Sequence, residues 1–287
     1  MGSAYINTPS GEVIGLWCTE RLQEWDTAHR RWTITTSAGP TRVVALGHEH
    51  ESGPTVVVVP GTNMNTAASL PFLAELAARY RVIALDVPGQ PGLSAPQRPR
   101  KDRLAWYGRW LDEVLEQTVP DTAVVLGHSL GGAIALACPS ERIAGRILIA
   151  PAGLVRLKVP PRLLAATLAW LAAPSPDRTH RLLHLMTGPT HPVAPHLVEW
   201  MTLVGRYCRT TLAPAPLAPA LLDRCRSTPC VVATGAHDIF LPPNRLEPAV
   251  RDPLGTELRV LEGCGHLALD DDPAGVVELV DDLTGRL

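Results

Sequence analysis

The feature that most limits what this chain can fold into is residues 121–136, DTAVVLGHSLGGAIAL. Its apolar run, 123–126, has the length and composition of one buried parallel strand. Gly127, His128, Ser129, Leu130 and Gly131 follow as G-x-S-x-G, and Gly132 leads into a helix-forming run, 133–137. A serine on so tight a strand-to-helix turn sits in a strained backbone conformation, which demands small residues two before and two after it. Its hydroxyl then stands clear of the sheet, at the positive end of the following helix. The N–H of Leu130 points to where an oxyanion would form. The order strand, serine turn, helix predicts a nucleophile elbow. The alternative, a structural Gly/Ser turn, is set aside only if the chain also supplies a base, an orienting acid and a second oxyanion donor.

The rhythm around the elbow predicts the sheet that holds it. Residues 55–59, TVVVV, are an uninterrupted β-branched run, the mark of a strand buried on both faces. Short apolar runs recur at 82–85, 146–149, 231–233 and 258–261, with helical spacing at 66–79, 102–117, 244–250 and 273–283 between or after them. Strands alternating with helices imply a parallel sheet with right-handed crossovers, so the fold class is α/β. Ahead of these, 31–36 and 41–46 read as a hairpin joined by Ser37, Ala38, Gly39 and Pro40. Residues 1–30 form a lead-in, within which 18–30 are expected to make a short amphipathic helix with Leu22, Trp25 and His29 on one face.

From 151 to about 227 the rhythm breaks. Apolar helical segments, 163–172, 181–186 and 197–207, are separated by proline-rich joints, and no strand pattern appears. This reads as an all-helical insertion over the carboxyl edge of the sheet. The chain therefore divides into a core, 1–152 and 228–287, and a helical cap, 153–227.

A length of 287 residues suits one domain with an insertion. The net charge of −2, without a basic stripe, argues against nucleic acid as a partner and leaves a small-molecule substrate. No run reaches the length of a membrane span and no leader pattern stands at the amino end, so a cytoplasmic, reduced, soluble setting is expected. The six cysteines show no C-x-x-C pairing, which argues against a metal cluster or a disulfide framework. Cys138 and Cys230 read as small buried hydrophobes. His48, Glu49, His50 and Glu51 are metal-ligand residue types on a polar loop without further ligands, the pattern of solvated surface. With no phosphate-binding glycine motif, no cofactor is expected. Oligomeric state is left open.

Two later loops complete a catalytic constellation. Gly235, Ala236, His237 and Asp238 follow the strand at 231, and Gly263, Cys264, Gly265 and His266 follow the strand at 258. Both loops leave carboxyl ends of parallel strands, where an open α/β sheet places its ligands. The order Ser129, Asp238, His266 assigns nucleophile, acid and base. Asp86 competes for the acid's role but sits in a turn that uses it as a brace, and Asp270, Asp271 and Asp272 read as the N-cap of the last helix. The second oxyanion donor is expected from the backbone N–H of Thr62, with Asn63 as runner-up, beside that of Leu130. His128 is expected to pack under the nucleophile.

With these residues in view, the chain resembles the α/β-hydrolase superfamily over nearly its whole length. The resemblance rests on Pro60-Gly61-Thr62, Asp86-Val87-Pro88-Gly89, Gly127 to Gly132, Gly235 to Asp238 and Gly263 to His266. It implies a mostly parallel eight-stranded sheet with a helical cap after the sixth strand, as in the serine esterase, lipase and lactonase branch. The serine separates the chain from similar epoxide hydrolases and haloalkane dehalogenases, which carry an aspartate there. Two departures stand out. Pro60-Gly61 replaces the His-Gly of many relatives, and the elbow helix is about a turn short.

The expected activity is a serine hydrolase acting on a carboxylic ester, lactone or thioester through an acyl-enzyme. Apolar cap residues Leu164, Leu168, Trp170, Met186, Trp200 and Met201, with Asn63 and His128, are the candidates for contact with a hydrophobic substrate, and Glu199 is the candidate anchor for an amine. The alternative is a non-hydrolytic enzyme on the same fold, a cyclase or lyase.

Overall fold

The computed structural model describes residues 1–47, 53–210 and 213–287; the loop His48 to Glu51 lies outside them. Its centre is an eight-stranded sheet: β1 (His29–Thr36), β2 (Gly39–Leu46), β3 (Thr55–Val59), β4 (Val82–Leu85), β5 (Ala123–His128), β6 (Ile143–Ile149), β7 (Cys230–Gly235) and β8 (Leu258–Leu261). The spatial order is β8-β7-β6-β5-β3-β4-β2-β1. The hairpin β1–β2 runs antiparallel at one edge, β2 pairs antiparallel with β4, and the other pairs are parallel.

The all-apolar strands are buried on both faces, and their alternation builds two cores. Val56 and Val58 of β3 join Val124 and Leu126 of β5 on one face, with helices α1 (Thr8–Gln23), α2 (Leu70–Ala77) and α11 (Pro273–Thr284). Val57 and Val59 join Val125 on the other, with α3 (Arg103–Thr118), α4 (Leu130–Ala137) and α9 (Pro243–Leu254). A one-residue slip in any of these strands would exchange its two faces.

Between β6 and β7 lie α5 (Pro161–Ala172), α6 (Pro176–His184), α7 (Pro195–Tyr207) and the short α8 (Pro219–Asp223), the helical cap. Each opens on a proline in its first turn, where the missing N–H costs nothing and the fixed φ suits a helix. The prolines that punctuate the sequence here are therefore helix starts as much as breaks. A four-residue helix, α10 (Ala268–Asp271), follows the His266 loop.

The lead-in differs from expectation. α1 begins at Thr8 because the Asn7 side chain accepts a hydrogen bond from Ser10 N at 2.9 Å and Pro9 sits in the first turn. Its buried face is Ile14, Trp17, Cys18 and Leu22, and the helix ends at Gln23. His29 is not on it; the residue opens β1, where pairing with Leu46 outweighs the local helical spacing. Cys138 is buried, whereas Cys230, at the head of β7, is half-buried. Among the described residues no helix is long and apolar enough to cross a membrane.

Candidate active site

The elbow sits at the crossover from β5 to α4. Ser129 has φ 51° and ψ −109°, a region that L residues rarely occupy. The turn is pinned to the end of β6, with Ser129 N donating to Ile149 O at 2.9 Å and Ala152 N donating to Ser129 O at 3.0 Å. The flanking glycines are steric necessities. A Cβ on Gly131 would lie 1.9 Å from Val59 O, and one on Gly127 would lie 2.5 Å from the Gly131 carbonyl carbon.

Asp238 and His266 arrive from the carboxyl ends of β7 and β8. His266 Nδ1 lies 2.8 Å from Asp238 Oδ2, and His266 Nε2 lies 3.1 Å from Ser129 Oγ. The other oxygen of Asp238 accepts the N–H groups of Phe240 and Leu241, each at 2.8 Å. Burial pushes the Asp238 carboxyl up, but the His266 ring and these donors outweigh it and hold the group below the usual carboxylate range. An ionised Asp238 places the ring proton on Nδ1, leaving Nε2 free to accept from the Ser129 hydroxyl.

The His266 loop is anchored from the cap side. His266 N and Leu267 N both donate to Met186 O, at 2.6 Å and 3.2 Å. Asp271 Oδ2 accepts Gly265 N at 2.7 Å and Gly188 N at 2.8 Å, tying the loop to the segment after α6. The Phe240 ring meets the His266 ring edge-on, with centroids 4.7 Å apart. His128 lies beneath, its Nε2 donating to His266 O at 2.8 Å. Burial, then the neighbouring His266, lowers its pKa to about 4, so it is a neutral donor.

The loop after β3 is clamped from both sides. Asn63, with φ 63°, donates its N–H to Gln90 Oε1 at 3.0 Å, and its carbonyl accepts the Trp200 indole N–H at 2.7 Å. The backbone N–H groups of Thr62 and Leu130 donate to no described atom. Both residues line one small cavity with Gln90, Arg103, Leu104, Tyr107 and Pro214.

Several expected substrate contacts fall elsewhere. The Asn63 N–H is engaged by Gln90, so it is not a second oxyanion donor. His128 is buried under the His266 carbonyl and supports the loop. Leu164 and Leu168 stand on the solvent face of α5, because Leu163 and Trp170 take its inward face. Trp200 and Met201 are buried, the one between the cap and the core, stacked on Trp17 and bonded to Asn63 O, and the other offering its carbonyl to the Trp170 indole at 3.2 Å. Met186 acts through its carbonyl on His266. Glu199 accepts the Trp17 indole N–H at 3.0 Å, which ties α7 to α1.

Of the competing acids, Asp86 accepts Thr66 N and Leu93 N and braces two loops, and only Asp272 of the 270–272 run caps α11, accepting Gly275 N. Sequence reasoning missed Gln90, Phe240 and Trp17, and read Asp271 as part of a helix cap where it anchors the His266 loop. Gln90 alone carried a local signal, a polar side chain inside the turn DVPGQPG. No group of three His, Cys, Asp or Glu residues among those described is placed to hold a metal ion.

Comparison with known proteins agrees with this architecture. An uncharacterized protein of Mycobacterium tuberculosis is 26% identical over 259 residues, covering 80% of this chain and 75% of that one. An uncharacterized carboxylesterase of Bacillus subtilis is 28% identical over 137 residues, 46% of this chain and 44% of its own. Among solved structures, a putative hydrolase from B. subtilis superposes with a TM-score of 0.80 at 21% identity, over 96% of this chain and 99% of that one. The naproxen esterase of the same organism gives 0.78 at 21%, over 96% and 98%. A sequence model of the alpha/beta hydrolase family matches residues 56–279, which takes in β3 through most of α11 and all three residues of the Ser129 site, and on that ground the chain belongs to the alpha/beta hydrolase family.

Proposed function

We propose that the chain is a serine hydrolase that cleaves a carboxylic ester, lactone or thioester through an acyl-enzyme on Ser129. The observation that carries this reading is the relay Asp238–His266–Ser129, at 2.8 Å and 3.1 Å, beside two unused backbone donors. His266 Nε2 takes the Ser129 proton as Oγ attacks the carbonyl carbon. The N–H groups of Leu130 and Thr62 stabilise the oxygen that becomes negative. Nε2 then gives its proton to the departing alkoxide or thiolate, leaving the acyl-enzyme. Water, deprotonated by the same nitrogen, attacks the acyl carbon and returns Ser129 to its free form. Asp238 keeps Nδ1–H in place and favours the charged ring throughout.

The small cavity against Thr62 and Leu130 has room for about one small group beside the two donors. Its wall combines Leu104, Tyr107 and Pro214 with the polar Gln90 and Arg103, and the cap leucines expected from sequence are not part of it. Relatives named as carboxylesterases, matching 46% of the chain, support the ester class.

The test is labelling with a fluorophosphonate, the modified residue mapped by mass spectrometry, followed by a chain-length panel of p-nitrophenyl esters. A stoichiometric adduct on Ser129, absent from Ser129→Ala, is expected, with kcat of that variant down by at least ~10⁴-fold. Folded protein that neither labels nor loses ester turnover on Ser129→Ala would overturn the reading.

A further inference from the structure

Apart from Arg162 and Thr167, α5 is apolar on every side. Leu163 and Trp170 pack inward, while Leu164, Leu168 and Leu171 stand 48%, 56% and 39% exposed. These three recur at i, i+4 and i+7, so they form one continuous stripe. Val159, 53% exposed, extends it beyond the amino end of the helix, and Ala165, Ala169 and Ala172 leave no polar break along it. A helix apolar all round is ordinarily buried all round. This one has water on half its surface, and contiguous exposed apolar area marks an interaction site.

Charge decides what covers it. Residues 153–184 carry Arg156, Lys158, Arg162, Arg178 and Arg181 against the single acid Asp177, in a chain whose net charge is −2. The cations bracket the stripe. Arg156, Lys158 and Arg162 are exposed at the amino end of α5, and the Arg178 guanidinium holds the carbonyls of Ala169 and Ala173 at the other end. A second copy of this chain meeting the same face would bring two cationic rims together, since a two-fold contact opposes like patches. An anionic lipid surface satisfies both features, taking leucines at the acyl boundary and arginine and lysine at the headgroups.

We propose that this face of the cap docks on an anionic lipid surface, with Leu164, Leu168 and Leu171 inserted and Lys158 and Arg162 against the headgroups. Docking would set beside that surface the cavity between the cap and the β7–α9 loop. Lys158 and Arg162 line it together with His184, His237 and Asp238.

The experiment is co-flotation of the protein with vesicles of pure phosphatidylcholine and with vesicles that also contain phosphatidylglycerol. The protein is expected to float only with the phosphatidylglycerol vesicles and to be released by high salt. The double variant Leu164→Glu/Leu168→Glu is expected to bind at least tenfold less, with an unchanged Tm and unchanged turnover of a dissolved short-chain ester. Lys158→Glu/Arg162→Glu is expected to lose the preference for anionic vesicles while keeping the leucines. Three results would overturn the proposal: no flotation with either vesicle, equal flotation of the leucine variant, or a wild-type dimer that this variant makes monomeric. Vesicle binding needs no turnover, so it is read independently of Ser129 labelling.

Discussion

Replacing Trp200 with Phe tests whether the cap helps to build the reaction centre. The indole N–H of Trp200 is wholly buried and reaches Asn63 O at 2.7 Å, one residue beyond the Thr62 N–H assigned to the oxyanion. Asn63 is held at φ 63°, and its own N–H is fixed by Gln90. Phe keeps an aromatic ring against Trp17, whose centroid lies 4.8 Å away, but cannot donate. The variant leaves a part-buried carbonyl without its donor, at a cost of at most about 1–3 kcal/mol. In a domain of this size that lowers Tm by up to roughly 2–5 °C. The catalytic effect has a different signature. Losing one oxyanion donor outright costs about 10²–10³ in kcat. A donor displaced with its loop, by a fraction of an ångström to one ångström, is expected to cost 10 to 100-fold (about 1.4–2.7 kcal/mol) in kcat with little change in KM. The assays are urea or thermal unfolding beside steady-state turnover and the fluorophosphonate labelling rate. Trp17→Phe is the control, since it removes the part-buried bond to Glu199 and alters the ring stacked on Trp200 while leaving the Trp200–Asn63 bond in place. A variant that loses the expected stability but labels and turns over within about twofold of wild type would show that Trp200 is core packing only, and would remove the link from cap to oxyanion loop.

Three further expectations follow from the same geometry. Asp238→Asn cannot hold the Nδ1–H tautomer in the same way, so kcat should fall about 10⁴-fold; near-normal turnover would exclude Asp238 as the acid. Gly131→Ala forces a Cβ to 1.9 Å from Val59 O, so a loss of about 3 kcal/mol or more, with no Ser129 labelling, is expected in urea unfolding. His128, at about 4 in the folded protein against about 6.5 free, binds its proton more readily when unfolded. Its contribution is therefore intact above pH 6.5 and is lost as pH falls toward 4, up to about 3 kcal/mol. His128→Gln should flatten that acid limb of the stability profile, and an unchanged limb would refute the assignment.

The elbow and the order of the three candidate residues were legible because their signals are local. A Cβ at Gly127 or Gly131 collides with backbone only a few residues away or on the next strand, so glycine is demanded whatever surrounds the site. The parallel sheet was equally legible, since a strand buried on both faces is apolar at every position. Element boundaries were less so: α1 starts ten residues before the expected helix because one cap at Asn7 and one proline set its beginning. What only the tertiary structure decided is which face of each cap helix turns inward and which distant groups meet. On α5, Leu163 and Leu164 are chemically the same residue, and only packing against α6 and α7 buries one at 1% and leaves the other at 48% exposure. With leucine or alanine at most positions around it, α5 offers little periodicity from which to choose a face. The bonds from Trp200 to Asn63 O and from Asn63 N to Gln90 span long stretches of chain, and no local sequence pattern encodes a hydrogen bond between residues so far apart. Side-chain identity settles what a residue can donate or bury, and only the closed fold settles to whom.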